Sequence, residues 1–250
     1  MKPIFYTFTN LSHFPELVHG ISTREYQNMK FTGNQDPASV ISNRENYCRD
    51  LGINLNSIIV PEIVHSSQIA VVGQADKGKG SVDWRNTIKN ADGLISRDYG
   101  VNLMITSADC VPILVYDPIN KTVAAIHAGW RGIADGIVRQ TVENFKSLGA
   151  WSDSLIVGIG PSICQKHFIV KNEVLRIFAG KYPKAVFVRN HDGYVDLKKC
   201  VADDFISNGV TANNIEIAGE CTACNHYYFS SYRLEKEKTI FHGSIIGLRD

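Results

Sequence analysis

VNLMITSADCVPILVYDPINKTVAAIHAGWRG, residues 101–132, decides how the chain folds. Residues 101–106, 112–116 and 122–127 are apolar, β-branched runs. Each is too short for a helix, and turn-forming residues at 108–109 and 117–120 separate them. This spacing predicts consecutive strands. If the second and third pair as neighbours, the start of one and the end of the other share a sheet edge, which brings Cys110 near His127. From Ile133 the period changes. Ile133, Ile137, Val138, Val142, Phe145 and Leu148 fall on one face of a helix ending at Gly149.

The same alternation extends in both directions. Toward the N-terminus, residues 5–8, 18–22, 57–61 and 69–72 read as strands, and residues 38–51 as a helix stopped by Gly52. Residues 74–90 read as a loop: Gly78 and Gly80 lack the strand-then-helix context of a phosphate loop. Residues 94–96 add a strand. Toward the C-terminus, residues 155–159, 185–188, 215–218 and 239–248 are strand-like. Asn172 and Asp196 are placed to cap two helices ended by Gly180 and Gly209. Many strands follow one another without an intervening helix. The expected class is therefore α/β (α+β), a mixed β-sandwich or sheet core flanked by helices, rather than a doubly wound parallel sheet. No linker or repeat divides the chain, so one domain is expected over 1–250.

Composition narrows the function. Of 250 residues, 44% are hydrophobic and 20% charged, and 26 Lys+Arg against 25 Asp+Glu leave a net charge of +1. That balance predicts neither nucleic acid nor a membrane surface as partner. No run reaches the length of a spanning helix, and the first twenty residues lack a signal-peptide pattern. A cytoplasmic location is expected, where the six cysteines read as thiols or ligands before disulfides.

Three readings of Cys110 and His127 compete: a metal site, a nucleophile–base pair oriented by Asp109, or ordinary core. Two protein ligands are too few for zinc, whereas three plus an open position make a catalytic site. His65, at another strand-to-loop junction, is the best third candidate. Cys221 and Cys224 form a CxxC with His226 close behind, but no second CxxC is present. Packing is the plainer reading there, beside a local site built on His226.

The motifs together resemble a known family. They are HGISTR (19–24), Asn43-Arg44, VHS (64–66), ADGLIS (91–96), TSADCVPILVYD (106–117), AAIHAGWRG (124–132), GIGPSI (158–163), Asp196-Leu197, Cys221-Thr222 and FSSYR (229–233). This series is similar to the bacterial multicopper polyphenol oxidoreductase, or laccase-domain, family, also called YfiH-like. The resemblance implies a YfiH-like fold and metal ligands at His65, Cys110 and His127, with zinc bound or, as the alternative, copper. It implies phosphorolysis of adenosine, inosine, guanosine and methylthioadenosine to base and ribose 1-phosphate, with deamination of adenosine. Purine nucleosides and phosphate would be the partners, with a homodimer left open.

Catalytic roles would fall to Asp109 and Arg131. Arg24, Arg44 and Arg233 would grip phosphate or ribose oxygens, since a guanidinium donates paired hydrogen bonds. The alternatives are a copper-dependent polyphenol oxidase, a metal-stabilised binding protein with little catalysis, and a metal-free Cys/His hydrolase. Three places depart from the family pattern: Glu25-Tyr26-Gln27 replaces a Gly-Gly turn, Ile63 replaces a glutamine, and Thr239-Ile240-Phe241 replaces Thr-Gly-Arg.

Overall fold

The structure is a computed structural model that describes residues 5–31 and 36–249. Residues 1–4, 32–35 and 250 of the expected domain lie outside the described residues.

The described strands, in chain order, are β1 (Phe5–Tyr6), β2 (Leu17–Ser22), β3 (Ile58–Ile59), β4 (Ile69–Val71), β5 (Gly93–Ser96), β6 (Asn102–Ser107), β7 (Val111–Asp117), β8 (Thr122–Ala128), β9 (Ile156–Ile159), β10 (Ile169–Val170), β11 (Val186–Arg189), β12 (Asp192–Val195), β13 (Ile215–Ile217) and β14 (His242–Leu248). The helices are α1 (Thr9–Ser12), α2 (Pro37–Leu51), α3 (Trp130–Ala134), α4 (Ile137–Ser147), α5 (Asn172–Lys181), α6 (Leu197–Ser207) and α7 (Tyr232–Glu235).

Two mixed sheets form the centre. One runs β1-β2-β14-β6-β3 and the other β13-β9-β7-β8-β5-β4; a small sheet β10-β12-β11 stands apart. The side-chain period of two explains the layering. On β7, Ile113 and Val115 face a core shared with Val142, Phe145 and Phe205 of α4 and α6. Leu114 and Tyr116, the alternate residues, enter a second core with Leu103 and Ile105 of β6 and Ile246 of β14. Across the other sheet, Met104 and Ile245 meet Tyr47 and Cys48 of α2. The order is helix, sheet, sheet, helices. The strands of the opening stretch lie in the two inner layers and are apolar on both faces because both faces are covered.

The expected class holds, and several boundaries shift for physical reasons. The single helix expected from Ile133 is two helices, because Gly136 takes a left-handed φ of 87° and restarts the chain as α4. Asn172 does not cap α5. It is the first helical residue, Lys171 stands in the cap position without a side-chain cap bond, and Gly180 lies inside the helix. Asp196 caps α6 as expected, its Oδ1 accepting from the Lys199 amide at 3.0 Å. Gly52 closes α2 with φ of 72°. The last strand begins at His242, three residues later than the pattern indicated. Among the described residues, no helix is long and apolar enough to cross a membrane.

Candidate metal centre

Strands β7 and β8 pair antiparallel with Val111 opposite Ala128 and Pro112 opposite His127. Cys110, one residue before β7, therefore meets the end of β8. The sequence expectation for this pair rested on that register. His65 arrives from the segment before β4, which pairs parallel with β5. Its backbone sits at φ of 61°, a strained left-handed position for a non-glycine residue. One ligand atom from each of His65, Cys110 and His127 lies within 4.8 Å of the other two. The two imidazole rings meet edge to face with centroids 5.0 Å apart.

A residue the sequence reading passed over holds this trio together. Asp92 is fully buried just before β5. Its Oδ1 lies 2.9 Å from His127 Nδ1 and accepts from the His65 amide at 2.9 Å. Its Oδ2 accepts from the Ser66 amide at 2.7 Å, the Ser66 hydroxyl at 2.9 Å and the Val64 amide at 3.2 Å. One carboxylate thus fixes the loop carrying His65 and commits Nδ1 of His127, leaving Nε2 for a metal. Burial resists the charge on Asp92, but the bonds from His127 and Ser66 outweigh it and hold the carboxyl below its usual range. The signal available in the sequence was an aspartate directly before an apolar strand within ADGLIS.

The electrostatics suit a cation. Burial opposes ionisation of the Cys110 thiol, yet His127 and His65 draw it below its ordinary value. Burial likewise opposes charge on His127, and Cys110 and Asp92 overcome it, raising the imidazole. Protein groups alone therefore favour a thiolate at Cys110, the form in which cysteine binds metal. Gly129 keeps the space clear. A Cβ there would stand 3.0 Å from His65 Cδ2, 3.4 Å from Cys110 Sγ and 3.5 Å from His127 Cε1. The residues present fit a three-coordinate protein site with an open position.

A family described as multi-copper polyphenol oxidoreductase laccase matches residues 13–249. The chain belongs to this family. Adenosine deaminase RL5, from an unknown prokaryotic organism, is 31% identical over 203 residues, which span 79% of this chain and 78% of RL5. A purine nucleoside phosphorylase of Bacteroides thetaiotaomicron is 30% identical over 238 residues, 91% of this chain and 88% of its own. The solved structure of YlmD from Geobacillus stearothermophilus is similar with a TM-score of 0.93 at 26% identity, over 99% of this chain and 100% of that one.

The arginines of the laccase-family motifs separate into different environments. Arg131 is exposed, lies over the Trp130 ring at 4.3 Å and, among the described residues, makes no side-chain hydrogen bond. Arg24 pairs with Glu235, and its Nε donates to the carbonyls of His226 and Phe229. Arg233 donates from Nη1 to the carbonyls of His167 and Ile169. Arg44, expected to grip phosphate or ribose oxygens, lines a cavity together with Phe31 and Trp84, and its side chain also serves the protein itself. It is 2% exposed, and its guanidinium donates to the carbonyls of Met29, Gly80 and Ser81. Those bonds tie α2 to two loops and satisfy a buried charge.

Asp109 is equally committed. At φ of 85°, it accepts from the Thr222 hydroxyl at 2.6 Å, the Ser231 hydroxyl at 3.1 Å and the Arg233 amide at 2.7 Å. These bonds tie the turn carrying Cys110 to Thr222, Ser231 and Arg233.

A cation absent from the sequence expectations is Lys30. Burial draws its ammonium down, and the Cys110 and Asp92 charges push the other way. Lys30, Phe31, Ile63, Trp84 and Thr106 line one cavity, which Ile63 brings within two residues of His65. Two of the three departures from the family pattern meet here: Ile63 lines the cavity, and Phe241 carries Lys30 over its ring at 4.7 Å. In the third, Tyr26 is core, packed on Tyr47 at 4.9 Å and bonded to Asp50 at 2.9 Å.

Proposed function

We propose that the chain is a zinc-dependent purine nucleoside enzyme. It would cleave nucleosides such as adenosine, inosine, guanosine and methylthioadenosine with phosphate, and deaminate adenosine. The convergence of His65, Cys110 and His127 around an open position supports this reading, in a chain whose relatives are named for those activities. When bound, zinc supplies Lewis acidity and makes water nucleophilic near neutral pH.

The chain's own groups supply the rest. Asp92 holds His127 in one tautomer and clamps the His65 loop. Arg131 is the cation available for phosphate or ribose oxygens, since Arg24, Arg44 and Arg233 already serve protein partners. Lys30 presents a second positive group in the cavity that Ile63 lines, where Phe31 and Trp84 offer flat apolar surface for a base. Asp109, on the Cys110 turn, acts through its three side-chain bonds from Thr222, Ser231 and Arg233.

Zinc-loaded protein is incubated with adenosine and with inosine, each with and without phosphate. Phosphate-dependent release of base and ribose 1-phosphate, and phosphate-independent conversion of adenosine to inosine, are expected. Absence of all these products would overturn the reading. An Arg131→Ala variant that retains zinc is expected to lose most of the phosphate-dependent reaction. Oxygen uptake on a phenol that depends on added copper would instead support the polyphenol oxidase alternative.

A further inference from the structure

Away from the candidate metal centre, the fold assembles another set of metal-ligating side chains. Cys164 and His167 lie on the loop between β9 and β10, and Cys221 and Cys224 on the segment after β13. Their four ligand atoms all lie within 4.8 Å of one another. We infer that Cys164, His167, Cys221 and Cys224 form a second, structural zinc site.

The distances match that ion. Bond lengths of about 2.3 Å to sulfur and about 2.0–2.1 Å to nitrogen around a tetrahedral centre put sulfurs roughly 3.8 Å apart, and sulfur and nitrogen roughly 3.6 Å apart. Cys164 Sγ and Cys224 Sγ are 3.9 Å apart. His167 Nδ1 lies 3.4 Å from Cys164 Sγ, 3.4 Å from Cys224 Sγ and 4.0 Å from Cys221 Sγ. The amides of Cys164 and Cys224 point at Cys221 Sγ from 3.2 and 3.4 Å, an arrangement suited to a charged sulfur. Three sulfurs and one imidazole in a closed tetrahedron select zinc among the common divalent ions. All six cysteines are free thiols.

The sequence showed half of this site. Cys221 and Cys224 were visible as a CxxC, and the nearby His226 was the obvious third ligand. His226 instead faces solvent, with its carbonyl accepting from Arg24. The true partners carry the same spacing, Cys-x-x-His at 164–167, more than fifty residues upstream. Folding joins the halves through the parallel bridge of Ser162 to Cys221.

The site's position gives it a purpose. It pins the loop whose His167 carbonyl receives Arg233, and the segment whose Thr222 hydroxyl bonds Asp109 beside Cys110. A zinc here would brace the turn that presents the first site's cysteine.

The test is zinc stoichiometry by elemental analysis on gel-filtered protein, with cobalt substitution as the spectroscopic check. Wild-type protein is expected to hold two zinc ions. Cys110→Ala/His127→Ala protein should keep one, and its cobalt form should show the strong visible bands and sulfur charge-transfer absorption of a tetrahedral three-thiolate site. Cys221→Ser/Cys224→Ser protein should keep only the other ion and lose those bands. If that variant does not fold, the Cys110→Ala/His127→Ala protein decides alone. A Cys110→Ala/His127→Ala protein that folds but holds no zinc would overturn the inference. So would wild-type protein isolated with one zinc and a Cys164–Cys224 disulfide. Neither outcome depends on nucleoside turnover, so the proposed function can fail while this site stands, or the reverse.

Discussion

At the scale of single residues, the candidate centre of His65, Cys110 and His127 rests on a carboxylate outside the ligand set. Asp92 reaches His127 Nδ1 and the backbone of His65 and Ser66 at once. Such outer partners commonly govern affinity by 10–100-fold. Asp92→Asn is therefore expected to weaken zinc binding at this site by about that factor, read by competition with a chromophoric chelator. An unchanged affinity would mean that His127 is oriented by something else. Arg44 makes the complementary case. Its charge is buried without a carboxylate partner among the described residues, and its bonds go to backbone carbonyls. Arg44→Ala leaves those carbonyls unpaired, which costs about 3 kcal/mol or more, measured by urea unfolding. Arg44→Lys keeps a charge but not the planar fork, so it is expected to recover only part of that loss. His65, Cys110 and His127 were candidates in the sequence because they sit at strand ends with side chains that do metal chemistry, the family resemblance implied them as a ligand set, and the fold brings their ligand atoms together. Asp92 and Lys30 were not, because their importance comes from which atoms they reach, and only the folded chain decides that.

At the scale of elements, two neighbouring strands of one sheet each carry a histidine that is kept neutral. His19 on β2 accepts the Phe8 amide on Nε2 at 3.0 Å, and His242 on β14 accepts the Ser230 amide on Nε2 at 2.8 Å. Burial draws the pKa of each down from 6.5 to about 4. The unfolded chain binds these protons first, so their contribution to stability is whole above about pH 6.5. It is lost progressively as pH falls toward about 4 and changes no further below that. The urea midpoint is expected to drop across that window. His19→Gln can still accept the Phe8 amide, and it should remove part of the slope. A midpoint that is flat between those pH values would refute the argument. Elements were legible where one period ran uninterrupted: β6, β7 and β8, the stripe of α4, and α2 with its glycine stop. The small sheet of β10, β11 and β12 was legible only in β11. β10 is two residues long, and β12 begins Asp192-Gly193, so neither carries enough pattern to show. The break before α4 was hidden because Ile133 and Ile137 keep helical spacing across Gly136.

At the scale of the whole molecule, β14 closes the fold. It lies between β2 and β6, pairing Ile246 with His19 on one side and with Leu103 on the other. The sequence identified these strands as strands but could not show that residues near the two ends of the chain are neighbours, because strand-pairing order is set by packing between sheets. Every residue of β14 is buried, and Ile245, Ile246 and Leu248 are fully so. They serve different cores, Ile245 against α2 and the other two between the sheets. Burying each such side chain contributes about 1.5–3 kcal/mol. The three together therefore approach the 5–15 kcal/mol that holds a typical domain folded. Removing β14 would also strip pairing partners from β2 and β6 and expose their edges. A chain ending at Phe241 is thus expected to lack a cooperative urea transition and fixed aromatic circular dichroism, even when supplied with zinc. The metal centre should fail with it, although none of its ligands is deleted. Thr106 and Ser107, which pair with Gly243 and His242, end the strand just before the Cys110 turn. A truncated chain that unfolds cooperatively near the wild-type midpoint would show that the remaining strands suffice, and that β14 only covers a core already formed.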